Sequence, residues 1–309
     1  MSNNDIYFDQ YDYEIDENPY PIMQRMRDEA PVWYNEKYDY WAISRYEDVL
    51  KASRDTATFS SSYKTVLELM TDEPHQSSMI INTDPPYHKM LRDIVAPFFT
   101  PAKVAQLEDD IRKIVVSYLK PLEGKTEFDF VEDFARWIPM DVVSTILGVP
   151  EEDRRQINIW GNELLHRDEG QTEPGEMNIA ASEGLDNYFA KFMLEFRNHP
   201  NNTVSSAIVN NIVNDNGVDR PLTDAECIDY FHLIGAAGNE TVARLLGSAA
   251  WLLGAHPKQR KLLAEDPKRL PHAVEELLRF EAPSPTQFRR TLKDIELHGQ
   301  LIPAGSNVC

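Results

Sequence analysis

The chain has 309 residues, 42% apolar and 10% aromatic, which is enough to bury a core and too apolar for a disordered segment. Asp and Glu number 51 against 31 Lys and Arg, giving a formal net charge of −20. That balance disfavours polyanionic partners such as nucleic acid or an anionic membrane, and two cysteines exclude a disulfide scaffold.

No apolar run approaches the roughly 18 to 20 residues that cross a bilayer. The acidic, Tyr-rich start, MSNNDIYFDQYDYEIDEN, has no signal-peptide character, so a cytoplasmic location is expected. Residues 1–18 read as a polar lead-in. Pro19 and Pro21 then introduce a short amphipathic helix carrying Ile22, Met23 and Met26 on one face. Val32–Tyr34 and Tyr40–Ile43 are aromatic and β-branched runs around a polar loop, the pattern of a β-hairpin.

From Arg45 onward the pattern is mainly helical. A helix over 45–55 precedes a long irregular loop at 56–83. Helical segments are expected near 85–98, 101–120, 131–148, 151–166, 178–198 and 203–214. Breaks fall at Gly124, Gly148–Pro150, Gly170–Gly175 and Asn214–Gly217. Thr223 and Glu226 form a capping box, and the helix they open runs to about His256, roughly 50 Å long at 1.5 Å per residue. Its apolar stretch Leu233–Leu253 is expected in the core. A further helix, Leu270–Phe280, leads to short strands over 287–308, with turns at His298-Gly299 and Pro303-Ala304-Gly305.

Three constellations could carry chemistry. In the long helix, Gly235-Ala236-Ala237-Gly238-Asn239-Glu240-Thr241 sets small residues beside a carboxylate and a hydroxyl. A flat ligand or another backbone could approach there, and the glycines with Thr241 favour a local bulge or kink. Tight helix packing is the plainer reading of the same residues. Glu276 and Arg279, three apart, share a helical face with apolar neighbours, so partial burial is expected, against the plainer reading of an exposed salt bridge. His88 and Arg92, four apart after Asp84-Pro85-Pro86, suit a carboxylate or phosphate ligand, or else form a solvated face.

Taken together, these blocks resemble a soluble bacterial cytochrome P-450. The resemblance runs through PYPIMQRMRDEAPVWY, WAISRYEDVLKASRD, NTDPPYHKMLR, AAGNETVARLLG, AVEELLRFEAPSP and FRRTLKDIELHGQLIPAGSNV in order. It implies a mainly α fold with small β-sheets and a single domain over 1–309. It also implies heme b, with electrons from NAD(P)H through a ferredoxin or flavodoxin-type partner.

By the same resemblance His88, Arg92 and Arg289 match positions that bind heme propionates, with Arg290 expected on the opposite face of its strand. Glu240 and Thr241 match the acid–alcohol pair that delivers protons during dioxygen activation. Ala237 and Gly238 match small residues on the oxygen-binding side of the heme. Glu276 and Arg279 match a structural pair bracing the cysteine-loop region. An apolar substrate (lipid, sterol or terpene) would meet Met79, Ile80, Ile234, Ser284 and Thr286. Lys89, Arg92 and Arg112 are candidates for a local basic patch that docks the acidic redox partner.

The sequence departs from the family at the axial cysteine, because no F-x-x-G-x-H-x-C-x-G loop occurs. Cys227 lies roughly 20 Å along the helix from Thr241 and Cys309 ends a strand, so no metal ligand is expected in this chain. The expectation is a truncated member, incomplete at its C-terminus and inactive as it stands. A heme-free helical binding or interaction protein derived from the fold is the alternative.

Overall fold

The computed structural model describes residues 6–75, 78–166 and 174–309, without the side chains of Leu165, Ala236, Ala237 and Asn239. In chain order the elements are α1 (Tyr13–Glu17), α2 (Tyr20–Glu29), β1 (Val32–Asn35), β2 (Tyr40–Ile43), α3 (Tyr46–Arg54) and β3 (Phe59–Ser60). Then come α4 (Tyr87–Val95), α5 (Pro101–Ala105), α6 (Glu108–Leu119), α7 (Trp137–Leu147), α8 (Glu151–Leu165), α9 (Glu176–Asn198) and α10 (Val204–Asn210). A hairpin, β4 (Ile212–Asp215) and β5 (Val218–Pro221), precedes α11 (Asp224–Ala255), α12 (Pro257–Glu265) and α13 (Leu270–Phe280). The chain closes with β6 (Arg289–Thr291), β7 (Ile295–Leu297), β8 (Gln300–Ile302) and β9 (Asn307–Val308).

Two compact units emerge, one from the described residues up to Met90 with Thr286–Cys309, the other from Leu91 to Pro285. The first unit is built on a five-stranded sheet of order β1-β2-β9-β6-β3, in which only the β2–β9 pairing is parallel. Met26, Trp33, Tyr40 and Phe288 form its core on one side. Ile6 and Phe8 join that core, so residues 6–9 of the expected polar lead-in are tied to it, while Tyr13, Glu14, Asp16 and Glu17 of α1 are exposed. The reason is local: Asp9, only 3% exposed, accepts from Tyr7 Oη, the Tyr11 amide and Lys37 Nζ, which ties the segment down.

The expected loop at 56–83 holds β3 and short 3₁₀ turns at Leu67–Leu69 and Ile80–Asn82. Its order comes from distant partners, because β3 pairs with β6 at Phe59↔Thr291 and Ser60↔Arg290.

The second unit is helical, with α11 packed against α7, α8 and α9. Phe231 of α11 stacks on Phe189 of α9 at 5.6 Å between ring centroids and meets Phe192 edge-on at 5.4 Å, while Phe196 packs edge-on against Phe192 at 4.9 Å. Each such buried ring contributes about 1.5–3 kcal/mol of transfer free energy. Thr223 caps α11 as the sequence predicts, accepting from the Glu226 amide while Glu226 accepts from the Thr223 amide.

Several sequence expectations are corrected here. The helix expected over 203–214 ends at Asn210, because Asn216-Gly217, both at positive φ, turn 212–221 into a hairpin. The segment 101–120 divides into α5 and α6, and 131–148 opens with a π-helical turn at Val131–Ala135 before α7. The long helix is continuous from Asp224 to Ala255, with no π-helical turn at its glycines. Its core run is also partial, since Trp251 is 67% exposed. The expected break at Gly170 lies outside the described residues.

Candidate functional site

Glu240 and Thr241 stand side by side on α11, midway along an uninterrupted helix. The Glu240 carboxylate is taken by Arg244 one turn on, whose Nε lies 2.9 Å from Oε1 and whose Nη2 also donates to it. Arg244 is the more exposed partner, at 62% against 35% for Glu240. The sequence reading did not single out Arg244, although Glu-to-Arg spacing of four on a helix is a pairing signal.

The glycines of this segment serve helix packing. A Cβ on Gly238 would collide with Val143 Cγ2 of α7, and one on Gly235 would sit 3.1 Å from the Phe189 ring of α9. At Gly238 the side-chain direction is thus filled by Val143 of α7. The Ala237 side chain lies outside what is described, and Ile234 is half-buried on the same helix.

His88 and Arg92 lie one turn apart on α4, His88 half-buried and Arg92 exposed. Of the two further candidates for a basic patch, Lys89 is exposed on the same helix, while Arg112 pairs with Glu108 on α6 at 3.0 Å. Met79 and Ile80 are adjacent and half-buried at the start of a 3₁₀ turn; Thr286 is half-buried and Ser284 exposed.

Arg289 is the most informative group of the first unit. Its Nη1 donates to the Phe288 carbonyl at 2.7 Å, and its other nitrogens make no hydrogen bond among the described residues. Burial presses its pKa below the ordinary guanidinium value, and the nearby Asp84 charge opposes that. A desolvated guanidinium with donors to give fits the anionic carboxylate edge of a porphyrin. Arg290 is engaged elsewhere, donating to Asn307 Oδ1 at 2.7 Å and lying over the Tyr63 ring. The two side chains thus make separate contacts, in keeping with the alternation of a strand.

Asp84, which the sequence reading quoted without a role, is bound by the serines after β3. Its Oδ1 accepts from the Ser61 amide at 2.9 Å, and its Oδ2 accepts from Ser62 Oγ at 2.9 Å and from Ser60 Oγ. A separation of 22 to 24 residues leaves no local pattern that could reveal this.

Glu276 and Arg279 pair at 2.7 and 2.8 Å, but both are exposed, at 62% and 67%. The expected partial burial is not found. The apolar residues of that helix, Leu270, Val274, Leu278 and Phe280, are themselves exposed and shield nothing. A groove of about 440 Å³ lies among α11, α12 and α13, lined by Leu252, Leu263, Ala273, Leu277 and Phe280, with Glu276 beside them. It contains none of the residues expected to meet substrate.

Cys227 is buried, its Sγ 3.8 Å from the Ile208 carbonyl, and burial pushes its thiol up to about 11. Burial pushes the Cys309 thiol up to about 12. At both positions burial favours the protonated thiol. No described helix is long and apolar enough to cross a membrane.

No protein-family model matches the chain. Individual proteins do. It is 35% identical over 307 residues to cytochrome P450 123 of Mycobacterium bovis, covering 99% of this chain and 75% of that protein. It is 34% identical over 297 residues to the vitamin D(3) 25-hydroxylase of Pseudonocardia autotrophica, covering 94% and 72%. The solved structure of Mycobacterium marinum cytochrome P450 CYP268A2 in complex with pseudoionone superimposes with a TM-score of 0.84 at 28% identity, over 98% of this chain and 78% of that one. A mainly helical fold with small sheets, an unbroken helix carrying Glu240-Thr241, and this level of identity over nearly the whole chain lead to one assignment: the chain belongs to the cytochrome P450 family, enzymes that use heme b and electrons from NAD(P)H through a partner.

Proposed function

We propose that this heme monooxygenase inserts one oxygen atom into an apolar small molecule of lipid, sterol or terpene type. The observation that carries the heme-binding part is Arg289, whose desolvated guanidinium has donors left for a carboxylate. In this reading Arg289, His88 and Arg92 hold the propionates by charge-assisted hydrogen bonds. Bound there, the heme would supply reductive activation of dioxygen and oxygen insertion into a C–H bond.

The remaining work falls to side chains of this chain. Glu240, partly exposed, takes up a proton from solvent on its carboxylate, and Arg244 holds that carboxylate in one place between transfers. Thr241, next to it on α11, passes the proton inward through its hydroxyl. Met79, Ile80 and Ile234 would exclude water from an apolar substrate, with Ser284 and Thr286 offering hydroxyls at its edge. Glu276 and Arg279 act as a structural pair.

The substrate class is supported by relatives: a vitamin D(3) 25-hydroxylase and cytochromes P450 whose structures hold testosterone and pseudoionone. A ferredoxin or flavodoxin-type protein would deliver the electrons to the cytoplasmic enzyme, docking near Lys89 and Arg92. The heme-free alternative has no support from the relatives, which are named as cytochromes P450 or hydroxylases.

The test is a titration of the heme-loaded protein with sterols, terpenes and fatty acids, following the Soret band. A shift with at least one apolar class is expected. Shifts with polar ligands alone would refute the substrate class. Arg289→Ala should lower bound heme by roughly tenfold in affinity, the effect of one lost charge-assisted hydrogen bond.

A further inference from the structure

Resting on the reading of Arg92 as a propionate binder, we infer that Tyr230 is a positioning residue. It locks the last turn of α4, and with it Arg92, onto the face of α11 that carries Thr241.

The contact is direct. Tyr230 Oη donates to the main-chain carbonyl of Leu91, 139 residues earlier. Leu91 is 0% exposed and Tyr230 2%, so the bond lies where water does not compete for either group. The Leu91 carbonyl and the nitrogen and Cα of Arg92 belong to one planar peptide unit. Holding that oxygen therefore holds the atoms from which the Arg92 side chain starts. Leu91 and Ile94 bury the inner side of α4, but apolar packing has no direction of its own. The hydrogen bond adds the missing direction, fixing how far α4 slides and turns against α11. Arg92 is exposed, so its backbone rather than surrounding side chains sets where it begins.

The position of Tyr230 on α11 gives that anchor its use. Eleven residues separate it from Thr241 on an unbroken α-helix, almost three whole turns. The two positions thus lie within about 20° of each other around the axis and about 16 Å apart along it. One face of α11 grips the peptide of Arg92 and, three turns on, carries Thr241. Tyr230 in this way keeps the arginine that takes a carboxylate in register with the hydroxyl that passes a proton.

Hemin affinity of the protein, read from the Soret band, tests this, with hemin dimethyl ester as a probe that lacks the propionate charges. Tyr230→Phe removes the donor and keeps the ring. It should weaken hemin binding roughly tenfold, on the scale of one hydrogen bond, with ester binding little changed. Arg92→Ala should weaken hemin binding to a similar extent. Tyr230→Phe added to Arg92→Ala should cost nothing further, because the tyrosine acts through the arginine. A phenol that merely stabilised the fold would give additive losses, or equal losses for hemin and its ester, and either result overturns the inference.

Replacing Tyr230 by 3-fluorotyrosine covers the case in which the phenylalanine variant fails to fold. The fluorinated phenol is a stronger donor of nearly the same size, so hemin should bind at least as tightly as to the unmodified protein. Binding tenfold weaker overturns the inference. An Arg92→Ala variant that binds hemin as tightly as the unmodified protein overturns the reading of Arg92, and the inference with it.

Discussion

Glu240 and Arg244 form an ion pair across one turn of α11, Nε to Oε1 2.9 Å, with the arginine on the more exposed side. Exposed pairs of this spacing contribute about 0.3–0.5 kcal/mol. Arg244→Ala should therefore change unfolding free energy by no more than about 0.5 kcal/mol in urea. In a heme-loaded form that also carries the family's axial-cysteine loop, the fraction of consumed NADH that ends in hydroxylated product should nevertheless fall, because the carboxylate loses its fixed position. Unaltered coupling would remove Arg244 from the proton path.

In a heme-loaded form that also carries the family's axial-cysteine loop, Thr241→Ala should leave NADH consumption largely intact, while product falls and hydrogen peroxide rises. Oxygen-electrode, peroxide and product assays on one preparation separate these quantities. Parallel loss of NADH consumption and product at constant heme content would contradict a role in proton transfer.

Gly238→Ala reverses the usual preference of helices. Alanine in place of glycine normally stabilises a helix interior by about 1 kcal/mol. At this position the added carbon meets Val143 Cγ2, so a net loss of about 1–3 kcal/mol is expected. Combining it with Val143→Ala should recover part of that loss, measured as a positive coupling in a double-mutant cycle. Additive losses would mean that Val143 is not the obstacle.

Arg220 grips the Glu226 carboxylate through both Nη atoms at 2.7 Å, and Glu226 is 5% exposed. Arg220→Ala strips a buried charge of its main partner and should cost about 3 kcal/mol. Lysine at that position cannot reproduce the two-pronged contact and should recover less than half. A loss under about 1 kcal/mol for the alanine variant would show that solvent replaces the arginine.

Asp9 gives the first unit an acid-sensitive anchor. Burial alone would raise its carboxyl pKa, but hydrogen bonds from the Tyr11 amide, Tyr7 and Lys37 outweigh that and hold it below the ordinary value. A depressed carboxyl contributes stability above its unfolded pKa of about 3.9, and that contribution fades as pH falls through the lower folded value. Asp9→Asn should lower stability at neutral pH and flatten the acid limb of the stability–pH curve. An unchanged acid limb would remove Asp9 as its source.

The sequence by itself determined those features that depend on neighbours a few residues away. The Thr223–Glu226 box, the β1–β2 hairpin, the Leu270–Phe280 helix and the turn at His298-Gly299 are all set by short-range geometry, and each is found where the pattern puts it. The order of the blocks around His88, Glu240-Thr241 and Arg289 was likewise enough to reach the family.

Only the tertiary structure decided what each side chain meets. Ile6 and Phe8 look solvated in an acidic context, yet a core formed by Met26, Trp33, Tyr40 and the distant Phe288 takes them in. Gly238 looks ready for a flat ligand, but Val143 of a helix nearly a hundred residues earlier fills its side-chain direction. The three serine donors on Asp84 come from 22 to 24 residues away, across a loop whose path no periodicity encodes. Local propensity acts within a turn or two of helix or strand, whereas packing and charge placement depend on which distant segments the folded chain brings together.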